Sequence, residues 1–143
     1  MATEIQRINP SQLGNPASYG FTNVVMVPAG KTLVFIAGQG GAEGQGQYGD
    51  FEAQLKRAFA NLRIALAAAG ATPEDVVKIT VLSVDHNAEK QALISAERNA
   101  MWPDSLLKPA STLIPLPRLA SEGMLFEIDA VAAVPSSEEP TER

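Results

Sequence analysis

At Asp50 the chain changes its period. Upstream, "FTNVVMVP" (21–28) and "KTLVFIAGQ" (31–39) are short runs rich in β-branched and aromatic residues, joined by Ala29-Gly30, a pattern that predicts a hairpin. Downstream, Phe51, Leu55, Phe59, Leu62, Leu66 and Ala69 recur at three- and four-residue spacing, the signature of a helix with one apolar stripe. Asp50 suits the N-cap, Glu52 the positive first turn and Gly70 the C′ position. A helix of this kind must lay its stripe on a sheet, so the strands on either side of it have to supply one.

The rest of the chain repeats the alternation. A single turn opened by Thr72-Pro73 and closed by Asp75 leads into a strand at about 76–84, with Val77, Ile79 and Val81 expected on one face. Asp85 or Asn87 then caps a second helix, about 88–102, whose apolar line reads Leu93, Ala96, Ala100. Strands at about 110–116 and 123–134 follow, and a short strand at 6–9 ends at Asn9-Pro10. Residues 10–20 and the glycine-rich stretch 40–50 read as loops. The order β-β-β-α-β-α-β-β predicts an α+β domain over residues 1–135, with both helices on one face of a mixed sheet and a polar tail at 136–143. A sheet covered on one side only leaves an apolar face bare, which predicts self-association through that face.

Composition removes several function classes. Without cysteine there are no disulfides, thiolates or Cys-based metal sites, and the single histidine, His86, cannot form a His cluster; a carboxylate-only Mg or Ca site stays open, although no EF-hand loop is present. The net charge of −5 comes with scattered Lys and Arg rather than a basic stripe, which argues against nucleic-acid binding. The N-terminal stretch is not built like a signal peptide, and the apolar runs are too short to span a bilayer. A cytoplasmic protein with no membrane partner is the expectation.

Few side chains suggest chemistry. His86 in "VDHN" reads as a turn histidine rather than a general base, and Trp102 as a packing residue. The glycine-rich loop matches neither phosphate-binding glycine motif and reads as a cover. Glu127 and Asp129 stand two apart on the last strand, on one side, flanked by Leu125 and Val131. A carboxylate on a sheet face that meets another subunit suits acid–base work.

Several stretches together carry a resemblance: "GFTNVV", "VFIAGQ", "LAAAGATPEDVVKITVLSVD", "PAST" and "FEIDAVA". Over nearly its whole length the chain resembles the RidA/YjgF family, also labelled endoribonuclease L-PSP. The resemblance implies a chorismate-mutase-like fold, a homotrimer with its sheets around the threefold axis, and a small-molecule cleft between adjacent subunits. It implies hydrolysis of 2-imino and enamine acids without a cofactor. Carried over by position, the water-positioning carboxylate falls on Glu127 and the contributing glycine amide on Gly38, between Ala37 and Gln39. The aromatic hydroxyl falls on Phe21, with Tyr19 two residues away, and a further polar position on Leu113. The arginine that grips the substrate carboxylate falls on Ser111, beside Thr112.

That last departure matters, because a guanidinium holds a carboxylate through two charge-assisted bonds worth roughly 1.5–3 kcal/mol each. Lys108 and Arg118 lie about 10 Å and 23 Å from Ser111 along an extended chain. Arg98 is a candidate replacement if a partner subunit supplies it. The resemblance thus implies a softer, more neutral cleft, suited to a neutral or aromatic ligand rather than the family's usual 2-imino acid. Two readings remain: a hydrolase or deaminase in which Glu127 positions water against a C–N bond, and a non-enzymatic trimer that binds a small molecule. The ribonuclease implied by the family label would need a basic groove, which this acidic chain does not supply.

Overall fold

A computed structural model describes residues 4–136, so all of the polar tail beyond Ser136 lies outside the described residues. The strands are β1 (Gln6–Ile8), β2 (Val24–Met26), β3 (Lys31–Gln39), β4 (Val76–Val84), β5 (Ala110–Leu116) and β6 (Phe126–Pro135). The helices are α1 (Phe51–Ala68) and α2 (Ala88–Met101). The loop at 10–20 contains two 3₁₀ turns, Ser11–Leu13 and Pro16–Tyr19.

The main sheet has four strands in the order β3-β6-β4-β5. β6 runs antiparallel to both β3 and β4, and β4 runs parallel to β5, so the sheet is mixed. The predicted hairpin between residues 21–28 and 31–39 does not form a ladder. Instead β2 pairs with β1 as a separate two-stranded ribbon. Gly30, at φ 90, does turn the chain as expected. Pairing is decided elsewhere: the Arg7 guanidinium donates to the carbonyls of Lys108, Glu74 and Val76, and Thr22 forms a parallel bridge with Ala110. These contacts fasten the ribbon to the β5 side of the domain.

α1 forms for the reasons its sequence suggests. The Asp50 side chain accepts from the Ala53 amide at 2.9 Å, and Phe51, Leu55, Ala58, Phe59, Leu62 and Leu66 are buried. Phe126 at the start of β6 meets Phe51 edge-on (centroids 5.9 Å apart, 84°) and stacks on Phe59 (6.0 Å, 21°). Phe59 in turn meets Trp102, whose indole donates to the Pro73 carbonyl at 2.7 Å. This aromatic chain joins α1, the sheet and the end of α2, and it makes Trp102 a core residue as expected.

Two expected faces are corrected. β4 carries an irregularity between Val76 and Lys78, so the core takes Val76, Ile79 and Val81 rather than starting from Val77. On α2 the buried residues are Ile94, Arg98 and Met101, while Ala96 and Ala100 are exposed. The larger side chains win the buried side, and Arg98 comes with them. Asn87, not Asp85, caps α2 by accepting from the Lys90 amide. β6 begins at Phe126, three residues later than expected.

Along β6 the parity is regular: Phe126, Ile128, Ala130 and Ala132 are buried toward the helices. The opposite face carries Glu127, Asp129 and Val131, with Leu33 and Phe35 from β3 and Ile114 from β5. Phe35 is 75% exposed and Leu33 49%, so this face is open and partly apolar. Because Phe126 is fully buried and makes two aromatic contacts, with Phe51 and Phe59, Phe126→Ala should cost about 3–5 kcal/mol in urea unfolding. A loss below ~1 kcal/mol would contradict that packing.

Candidate functional site

Glu127 lies on the open face, half-buried, opposite Leu82 of β4. Its side chain leans over β3, where the ladder slips between Ile36 and Gln39. Gly38 falls in that slip. A Cβ built on Gly38 would overlap the Glu127 carboxylate, so the residue there must be glycine for the carboxylate to reach the strand. Ala37 and Gly38 are exposed, and the Gln39 amide bonds back to the Ala37 carbonyl at 3.1 Å. Glu127, Ala37, Gly38 and Gln39 therefore form one group on the sheet surface. Asp129 is exposed on the same face, opposite Thr80.

A second group forms at the start of β5. Ser111 pairs with Ile79, which faces the helices, and its Oγ accepts from Arg98 Nη1 at 3.1 Å. Arg98 Nη2 donates to Ser95 Oγ at 3.3 Å, and Phe21 lies over the guanidinium at 5.4 Å. Gly20, at φ 95, passes so close that a Cβ on it would sit 2.6 Å from Arg98 Cβ. Tyr19 precedes it and is exposed. Leu113 is half-buried against the core, while Thr112 points to the open face and accepts from Lys78 Nζ at 2.6 Å.

The two groups do not meet within one chain. Ser111 and Glu127 sit two strands apart and three residues out of step, on opposite faces of the sheet. Strand spacings of ~4.8 Å and rises of ~3.3 Å put their backbones roughly 14 Å apart.

Arg98 is only 2% exposed, and among the described residues no carboxylate pairs with it. Burial lowers its pKa to about 10. Lys108, also buried, donates to the Trp102 carbonyl and to Asn99 Oδ1. Its pKa is lowered by burial first; Asp104 opposes the shift and the Arg98 charge adds to it. Arg98 belongs to the same chain as Ser111, so no partner is needed to bring them together. Arg118 is exposed and its Nε donates to the next residue's carbonyl.

Gln54 went unnoticed in the sequence. It is fully buried in α1, accepts from the Leu125 amide at 2.8 Å, and donates to the carbonyls of Gly49 and Gly123. It thereby ties the loop after β3 to the start of β6, just before Glu127. A polar residue at the i+3 place of an apolar stripe (Phe51, Gln54, Leu55, Ala58) was the available signal.

Other candidates resolve as structural. His86 bridges Ser83 Oγ and Gln91 Oε1, both at 2.9 Å, as a turn histidine would. The glycine-rich loop closes on itself through Glu43 and Gln47. A shallow groove of about 460 Å³ lined by Glu43, Ala53, Lys56, Arg57 and Ala60 lies on the outer side of α1, away from both groups. Among the described residues no cluster of three or more acidic or histidine side chains could hold a metal. No helix there is long and apolar enough to cross a membrane.

Comparison with known proteins places the chain in a family. The Endoribonuclease L-PSP family model matches residues 15–134. The RutC family protein YjgH of Escherichia coli is 31% identical over 104 residues, covering 72% of this chain and 76% of the relative. A RutC family protein of Pyrococcus abyssi is 33% identical over 105 residues, covering 70% and 77%. Among solved structures, the Rid family protein YyfB of Yersinia pestis superposes with a TM-score of 0.83 at 32% identity, covering 91% of this chain and 98% of that one. RidA from an Antarctic Psychrobacter matches with a TM-score of 0.60 at 25% identity, covering 80% and 88%.

The Gly38–Glu127 approach is testable by a double-mutant cycle. Gly38→Ala alone should destabilise by about 1–3 kcal/mol through overpacking. In a Glu127→Ala background most of that cost should vanish, leaving a coupling of at least ~1 kcal/mol in denaturant unfolding. Additive costs would mean that the carboxylate does not lie over the glycine.

Proposed function

The chain belongs to the Endoribonuclease L-PSP family, to which RidA/YjgF proteins belong, and from that premise we propose that it is a hydrolase acting on a C–N double bond in a cleft between subunits. The observation that carries this reading is the Glu127 carboxylate seated over the bare backbone of Gly38. A carboxylate there can accept a proton from water while the water oxygen attacks the imine carbon. The carboxyl then returns that proton to the nitrogen, giving a neutral carbinolamine whose hydroxyl proton moves to nitrogen as the C–N bond breaks, releasing ammonia and a carbonyl product. The Gly38 backbone, open to the face, supplies a polar group beside the reacting centre. Ala37 and Gln39 flank that centre on β3, as carried over from the family pattern.

An assembly of subunits completes the cleft in this reading. Ser111, Thr112, Leu113, Phe21 and Tyr19 belong to the β5 side, and the Ser111 backbone lies roughly 14 Å from that of Glu127. A ligand touching both groups therefore needs the β5 edge of one subunit beside the Glu127 face of another. The exposed Phe35 and Leu33 provide the apolar area for such packing, with three subunits as the proposed number. A second reading, a trimer that binds a small molecule without chemistry, is favoured by Ser111 standing where an arginine is expected.

Ammonia release from a panel of freshly generated imines should separate the two. Turnover above buffer that falls about a hundredfold or more in Glu127→Gln is the hydrolytic outcome. Rates equal to buffer for every imine would remove that reading and leave the binding one. In sedimentation equilibrium the protein should weigh three times the 15.1 kDa chain. Phe35→Glu should shift it toward single chains, and an unchanged mass would show that this face is not the contact.

A further inference from the structure

The open face of the main sheet carries an acid and a base that do not meet. Lys78 of β4 and Asp129 of β6 share that face; Lys78 lies opposite Val131 and Asp129 opposite Thr80, two residues out of step on neighbouring strands. A diagonal of that kind is within reach of a lysine. The Lys78 ammonium nevertheless turns the other way, across to β5, and donates to Thr112 Oγ1 at 2.6 Å. Asp129 is exposed. The ion pairs among the described residues are those of Lys56 with Glu52 and Glu97, all on the helices.

Around these two charges the face is apolar, with Leu33, Phe35 and Ile114 exposed. Sheets that pack face to face lie about 10 Å apart, a gap that a lysine and an aspartate reaching from opposite sides can bridge. Covering the face strips water from both charges. A charge buried alone is costly, whereas a matched pair penalises every other register of the contact. Acid and base occupy different spots on one surface, so a pairing between copies runs head to tail, and such contacts close into rings where the rotation allows. The other charges on this face are placed differently. Lys31 sits at the end of the edge strand β3, opposite Pro135, at the rim. Glu127 turns its carboxylate over Gly38.

We propose that Asp129 of one subunit pairs with Lys78 of a second copy of this chain, and that this pair sets the angle at which the two sheets meet. The pair rests on the reading of the open face as a subunit contact and adds the polar contact that orients it. Its consequence reaches the candidate site. Asp129 stands two residues from Glu127 on β6, and Lys78 is bonded to Thr112, next to Ser111 on β5. Joining them brings the Glu127 strand of one copy beside the β5 strand of the next, a juxtaposition that one chain does not supply. The pair positions the two halves and touches no ligand.

The test is native mass spectrometry of the full chain across a dilution series, with charge reversals. Asp129→Lys and Lys78→Asp should each raise the dissociation constant of the assembly at least about tenfold. The double variant, with the two charges exchanged, should return to within about threefold of wild type. Mixing the two single variants separates a contact between copies from one within a chain, because a mixed ring contains matched contacts and a ring of either variant alone contains none. The mixture should therefore assemble at lower concentration than either variant by itself. Lys31→Asp should leave the assembly unchanged. Should a reversal fail to fold, Asp129→Asn, Lys78→Met and their combination read the same coupling. Single reversals without effect, a mixture no better than its components, or a Lys31→Asp loss equal to that of Lys78→Asp overturns the proposal. A wild type that stays a single chain removes the assembly reading and the pair with it; a wild type that assembles and ignores both reversals removes the pair alone.

Discussion

The parity of β6 is the constraint on which the rest of the molecule depends. This strand is hydrogen-bonded on both sides, to β3 and to β4, so it cannot slip by one residue without turning Phe126, Ile128, Ala130 and Ala132 out of the core. The aromatic contacts of Phe126 with Phe51 and Phe59 fix where the strand starts. Once they do, Glu127 has only one face to occupy. Gln54 secures the same outcome from the loop side by holding the Leu125 amide. The position of the candidate carboxylate is thus a by-product of core packing, which is stronger than anything the exposed face could supply.

The two polar groups draw on different parts of the fold. Glu127 over Gly38 depends on a ladder slip in β3. Ser111 with Arg98 depends on the way α2 packs its larger side chains inward at the sheet edge. Their location on opposite faces makes one chain insufficient for a ligand that must touch both.

Much of this was legible in the sequence, and the exceptions share a cause. Helix α1, its Asp50 cap, the Thr72–Asp75 turn and strands β3, β4 and β5 follow from local spacing and turn chemistry, which is where sequence patterns are informative. The β2–β3 hairpin was misread because Ala29-Gly30 specifies a turn but not a partner. The partner was chosen by β1 and by Arg7 bonding to carbonyls 67 to 101 residues away. The buried face of α2 was misread because alanines are neutral between core and water, so Ile94, Arg98 and Met101 decided it. The spacing of Arg98 with Ile94 and Met101 placed a guanidinium on the inner stripe. Nothing local distinguished that from a solvated arginine.

The ribbon of β1 and β2 has a practical consequence for anyone handling this protein. Arg7 latches it across the domain, and the segment that returns from it carries Gly20, Phe21 and Thr22 directly onto Arg98 and the start of β5. The N-terminal quarter of the described chain is therefore the roof of the β5 corner, not a leader into it. Fusion tags, trimmed ends or proteases acting before residue 20 would register at Ser111, so preparations that differ only at that end are not interchangeable in ligand-binding work.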